Sequence, residues 1–150
     1  MSTEQLKQLD FLLGHNEYVG RPPAGGGEPA RMTWHGSPSL NGKYVDVAVS
    51  FAGGGIGRWT FGWNPLDEEF DVYYVADSGS QGAGTSPGWV EGEFTVTGRY
   101  TVVELGRHKT VRDVFRIVDE STVVADSYVR NQDDDAWIKI DVYTGRRAGA

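Results

Sequence analysis

Most of the chain alternates apolar and polar side chains with a period of two. The clearest run is 43–51, KYVDVAVSF. There Val45, Val47, Val49 and Phe51 share one face, while Tyr44, Asp46, Ala48 and Ser50 share the other. Side chains alternate across a strand, so this run predicts a half-buried β-strand. Trp59, Phe61 and Trp63 alternate with Arg58, Thr60 and Gly62 in the same way. Further strands are predicted at 16–21, 32–35, 70–77, 89–96, 100–105, 111–118, 122–130 and 137–143. Asn64-Pro65-Leu66-Asp67, Asp119-Glu120 and 131–135 carry turn residues and read as hairpin connections. The stretches 22–29 (PPAGGGEP) and 78–88, rich in Gly and Ser, read as loops.

The exception to this period is the start of the chain. Ser2 or Thr3 can cap a helix, and Gln5 stands three residues after Ser2, a capping-box spacing. Leu6, Leu9 and Leu13 then form one apolar face, with Phe11 and Leu12 beside it, and Gly14 is a stop signal. One short helix followed by about ten closely spaced strands predicts an all-β, closed antiparallel barrel. Closure removes exposed edges, and a barrel of about eight to ten strands can hold one small ligand. A two-layer sandwich with a solid core is the alternative. His15, Asn16, Glu17 and Tyr18 are the first residues to enter the barrel and are mostly polar, which points to a small-molecule pocket.

At 150 residues the chain reads as a single domain, 1–150. A domain of this size buries roughly 70% of its unfolded surface, enough for a core. The net charge of −7 argues against nucleic acid, which needs a clustered positive field. No apolar run approaches the roughly 20 residues of a membrane span, and MSTEQLKQLD lacks a secretory pattern, so a cytoplasmic location is expected. Cysteine is absent, which excludes disulfides and thiolate chemistry. Five Trp and seven Tyr are many for this length, and aromatics fill cores but also line ligand pockets. The partner this favours is a hydrophobic small molecule, with a homodimer left open.

Several motif matches carry no chemistry. Gly84-Thr85-Ser86-Pro87-Gly88 fits G-x-S-x-G, but a strand signal follows where the nucleophile elbow needs a helix. Gly53-Gly54-Gly55-Ile56-Gly57 also lacks a following helix, so it reads as a turn. The run 131–135 begins like an EF-hand loop, yet Ala136 and Val142 stand where Gly and Glu are required. His15, His35 and His108 show no metal-ligand spacing, and neither a metal nor a cofactor is expected. Polar residues inside strands are more informative: Asp46, Asp113, Arg116, Asp126 and Tyr128. An ionised carboxylate facing a barrel interior is costly unless paired, whereas facing water it is not. Asp126 and Tyr128 share a face, so an inward orientation would make them an acid/base pair.

Leu9 to Gly14, Trp34 with Gly42 to Val45, Arg112 to Asp119 and Tyr143 to Arg146 follow one another in a recognisable order. In that order the chain resembles a lipocalin-like, calycin-type barrel family catalogued mainly as a domain of unknown function. The resemblance spans nearly the whole chain and implies a barrel with an internal cavity and no fixed activity. The family usually has Thr-Trp where this chain has His15-Asn16. The resemblance implies that Asn16 replaces an inward indole, giving a larger and more polar cavity, with Tyr18 on the same face. A related haem-binding barrel family keeps that Trp and uses a His near its C-terminus, and here no His follows His108.

Two functions fit these expectations. One is a cofactor-independent cyclase or isomerase acting on a hydrophobic, oxygenated, polyketide-like intermediate held in one conformation. Its proton-transfer candidates are Tyr18, His35, Asp46, Asp126 and Tyr128. Its wall candidates are Asn16, Trp34, Trp59, Trp63, Tyr74, Trp89 and Phe115. The other is a binding or carrier barrel with the same walls and no chemistry.

Overall fold

A computed structural model describes residues 3–148. A short helix, α1 (Thr3–Lys7), and a 3-10 turn (Asp10–Leu12) lead into eleven strands. In chain order these are β1 (Gly14–Arg21), β2 (Ala30–Ser39), β3 (Tyr44–Phe51), β4 (Ile56–Asn64), β5 (Glu69–Ala76), β6 (Gln81–Ser86), β7 (Trp89–Val90), β8 (Glu93–Val102), β9 (Arg107–Asp119), β10 (Thr122–Arg130) and β11 (Ile138–Arg147). Neighbours along the chain pair antiparallel from β1 to β6 and from β7 to β11, β1 also pairs with β11, and β6 pairs with β8. Ten strands therefore close into a barrel, and β7 stays outside it as a hairpin with β8. The sandwich alternative is excluded. The capping residue Ser2 lies outside the described residues, as does the side chain of Thr3.

Two expected interruptions of the strand pattern fail, both around glycine. The run 78–88 is not a loop: it contains β6, the strand that closes the ring. Gly82 and Gly84 sit where β6 and β8 press together. A Cβ on Gly84 would stand 2.5 Å from the Thr97 carbonyl oxygen and 2.9 Å from Gly98 Cα. Glycine is there for a close approach of two backbones, not for flexibility. The break expected between 96 and 100 is also absent, because β8 runs straight through Gly98. Its turn comes earlier, at Glu91 and Gly92, which take positive φ of 49° and 81°.

The N-terminal segment plugs one end of the barrel. Leu9 and Leu12 are fully buried there. The Phe11 ring lies 5.2 Å from Trp89, 5.2 Å from Phe94 and 5.3 Å from Phe115. Truncating such a ring to alanine costs about 3–5 kcal/mol. Gln8 ties the plug to the wall. Its carbonyl oxygen accepts from Trp89 Nε1 at 2.9 Å, and its side-chain oxygen accepts from the Trp89 backbone N–H at 2.9 Å. Gly14, at φ 83°, turns the chain from the plug into β1. The stretch from His15 thus enters the barrel at its closed end, not at an entrance. The connections 22–29, 52–55, 77–80, 103–106 and 131–137 ring the opposite, open end.

Candidate functional site

The inward faces above the plug enclose a cavity of about 500 Å³. Small-molecule sites span roughly 300–1,000 Å³. Its wall is mainly apolar and aromatic: Tyr18, Trp34, Val49, Trp59, Tyr74 and Phe115 all contribute. The rings touch one another around the barrel, with Tyr18 4.8 Å from Trp34 and Trp59 4.4 Å from Tyr74. Reciprocal packing holds two of the tyrosines. The Tyr18 ring covers Gly145 on β11, and the Tyr143 ring covers Gly20 on β1. Any Cβ at those glycines would collide with the ring.

One side of this apolar interior is polar. Asp113 on β9 is in register with Ser127 on β10, and Ser127 with Asp141 on β11. Asp113, Ser127 and Tyr143 line the cavity. Burial pushes the Asp113 carboxyl up to about 6, against a smaller opposing pull from the Ser127 hydroxyl. Burial also raises Asp141, with a hydrogen bond from Tyr143 acting the other way. The Tyr143 phenol is pushed up to about 12, by burial first and then by the charges of Asp141 and Asp113. Tyr100 lines the same cavity from β8, and burial together with Asp113 raises its phenol far above the ordinary range. No cation pairs with Asp113 or Asp141 among the described residues.

The open end carries a hydrogen-bonded rim. Ser80 Oγ donates to Glu104 Oε2 at 3.1 Å and accepts from the Val103 N–H at 3.0 Å. This joins the β5–β6 turn to the segment after β8. Hydrogen bonds from its own backbone N–H, Ser80 and Ser78 hold the Glu104 carboxyl below the usual carboxylate range.

The residues expected from sequence divide sharply. Tyr18, Trp34, Trp59, Tyr74 and Phe115 stand on the cavity wall. Asn16 points inward and is 5% exposed, but at the plugged end, outside the cavity lining. Trp63 packs on Phe70 at 5.0 Å, and Trp89 packs on the plug, so both belong to the closed end. The other four proton-transfer candidates face out. His35 is exposed between inward Trp34 and Gly36, with His15 beside it. Asp46 lies between buried Val45 and Val47 and accepts from Thr60 Oγ1 at 2.7 Å on the outer face. Asp126 and Tyr128 do share a face, but it is the outer one, because Ala125 and Ser127 take the cavity side. Asp126 Oδ2 is bound by Arg116 at 2.8 Å, and Lys139 lies 3.5 Å from Oδ1.

Ser86 of the G-x-S-x-G match is fully buried and accepts from the Gly88 N–H at 3.1 Å, which makes it a turn residue. The sequence passes over Tyr100, Tyr143 and Asp141, and it marks Asp113 as a polar residue inside a strand without placing it among the proton-transfer candidates. A signal for Asp113 existed: it stands two residues before Phe115, and so on the same face. Among the described residues no three His, Asp or Glu side chains converge as a metal site needs. No helix among them is long and apolar enough to cross a membrane.

No family model matches the chain, and no curated protein does either. One solved structure, of EF1p2_mFAP2b bound to DFHBI, is similar over 95% of this chain and 98% of that one, at 11% identity and a TM-score of 0.47. At that level the likeness carries no weight for function. The closed antiparallel barrel expected from the strand pattern is the fold this chain forms.

Proposed function

We propose that this barrel admits an apolar, oxygen-bearing small molecule through its open end and holds it in the cavity. The observation that carries this is an aromatic-walled space of about 500 Å³ with Asp113, Ser127 and Tyr143 on one side of its wall and Ser80 and Glu104 at its rim. Such a layout binds by burying apolar surface and orients by a few placed hydrogen bonds. Trp34 and Trp59 in the wall make binding visible by fluorescence. Titration with a panel of apolar ketones and lactones should quench that emission, and Ala125→Trp, which fills the cavity from β10, should abolish the effect. Quenching that survives Ala125→Trp would place the ligand elsewhere, and a panel without quenching would remove the reading.

A second reading, turnover of the bound molecule by a cofactor-free isomerisation or cyclisation, is favoured by one observation. The row across β9, β10 and β11 contains two carboxyls without a cation between them. Of the two, Asp113 lines the cavity, and a carboxyl without a cation in an apolar site is poised for proton transfer. A natural-product intermediate of polyketide type, apolar and rich in carbonyls, fits that mixture of walls and acids.

A further inference from the structure

The hydroxyl of Tyr100 is buried and has no hydrogen-bond partner among the described residues. A buried hydroxyl left unpaired costs about 1–3 kcal/mol, so its persistence calls for a reason. Its position supplies one. The ring runs back along β8, so that a Cβ on Gly98 would stand 2.7 Å from the hydroxyl oxygen. Gly98 is in register with Val111, two residues from Asp113 on the same inward face of β9. Asp113 and the Tyr100 hydroxyl therefore look into the same part of the cavity, one a proton acceptor and the other a free donor. The remaining groups around them are Ser127 from β10 and Asp141 and Tyr143 from β11, with Tyr18 and Tyr74 on other parts of the wall. Lys109 is in register with Tyr100, four residues along β9 from Asp113 toward the rim, where Asp77 and Glu104 also line the cavity, and no cation forms an ion pair with the Asp113 carboxylate among the described residues.

Resting on the cavity being a ligand site, we propose that Asp113 and Tyr100 enolise a bound apolar ketone. The Asp113 carboxylate removes a proton from the carbon next to the carbonyl. The C–H electron pair becomes the new C=C bond, and the carbonyl π pair moves onto oxygen, where the Tyr100 O–H donates to it. Asp113 then returns its proton to carbon, to the same position or to one conjugated with it. The net change is exchange or a proton shift, and no oxidant, reductant or second substrate is consumed. A donor placed where negative charge develops, in a site shielded from water, strengthens as the reaction proceeds. A carboxylate surrounded by apolar walls is also a stronger base than one in water.

The probe is 2-tetralone, an apolar aromatic ketone. Its binding is read from tryptophan quenching, and its enolisation from loss of the α-proton signal in D₂O by NMR. The intact protein should quench and should exchange the α-protons about 10²–10⁴ times faster than buffer. The rate should rise with pH and level off above the Asp113 midpoint of about 6. Asp113→Asn should still bind but exchange at the buffer rate with no midpoint. Tyr100→Phe should keep the midpoint and lose about 10²-fold in rate. Quenching with exchange at the buffer rate, or an Asn variant as fast as the parent, overturns the chemistry and leaves binding intact. No quenching by 2-tetralone overturns the ligand site itself, and the chemistry with it.

Discussion

Two polar clusters occupy opposite faces of the same strands, β9 to β11, and they are built on opposite principles. On the outer face Asp126 is 3% exposed, yet Arg116 binds its Oδ2 at 2.8 Å and the Lys139 ammonium lies 3.5 Å from its Oδ1. Arg112 and Lys139 also stack on Tyr128, and Arg112 and Arg130 on Trp137. Every charge there has an opposite charge or a ring. On the inner face Asp113 has a serine and tyrosines for neighbours and no cation. The contrast teaches that burial alone does not mark a working carboxyl. A carboxylate matched by cations stabilises the sheet, while one left unmatched keeps a proton affinity that a ligand can use.

The comparison can be broken at its strongest point first. Asp126→Ala should destabilise by roughly 1.5–3 kcal/mol, the range for hydrogen bonds to charged groups, and leave ligand affinity unchanged. Thermal unfolding beside a fluorescence titration checks both halves. Asp113→Asn should move stability the other way. The Asp113 carboxyl titrates near 6 in the folded chain, above the roughly 3.9 of an unfolded aspartate. Between those values the folded state holds the extra proton, so stability falls as pH rises through that window and stays lower above it. Parent and variant should match below about pH 4, and at pH 8 the variant should be more stable by on the order of 2 kcal/mol. Urea unfolding at the two pH values measures this, and equal curves at pH 8 would erase the distinction between the clusters.

Tyr100→Phe, which deletes an unpaired hydroxyl, should be neutral or stabilising by up to about 1 kcal/mol in thermal melts while weakening ketone affinity. A variant that unfolds more readily would mean the hydroxyl has a partner. The smallest effect is ionic. Raising salt from 0.1 to 1 M shortens the screening length from about 10 to 3 Å and should trim the outer cluster by a few tenths of a kcal/mol. Affinity of a neutral ketone for the inner site should not respond, as parallel titrations at the two salt levels would show.

The barrel was legible wherever alternation was clean. The run 43–51 became β3, and 122–130 coincides with β10. It was illegible at β6, because Gly82 and Gly84 look like loop residues until Gly98 and Tyr100 are seen pressed against them. The aromatic wall was mostly legible, since large rings in strands of this pattern turn inward. The groups proposed to react were not. A period of two says which residues share a face but not which face is inside, so Asp113, Asp126 and Asp46 looked alike. The burial of Phe115 resolves the ambiguity for Asp113, and the cations on neighbouring strands resolve it for Asp126.

The plug at the base, with Leu9 and Leu12 sealed beneath the strands and Gln8 fastened to Trp89, leaves the barrel a single door. Whatever enters must leave by the same rim, past Ser80 and Glu104. Arrival and departure cannot overlap, so under the proposed turnover a product still inside would compete directly with the next substrate. The pace of traffic would then be set at the rim, independently of how tightly the floor and walls hold.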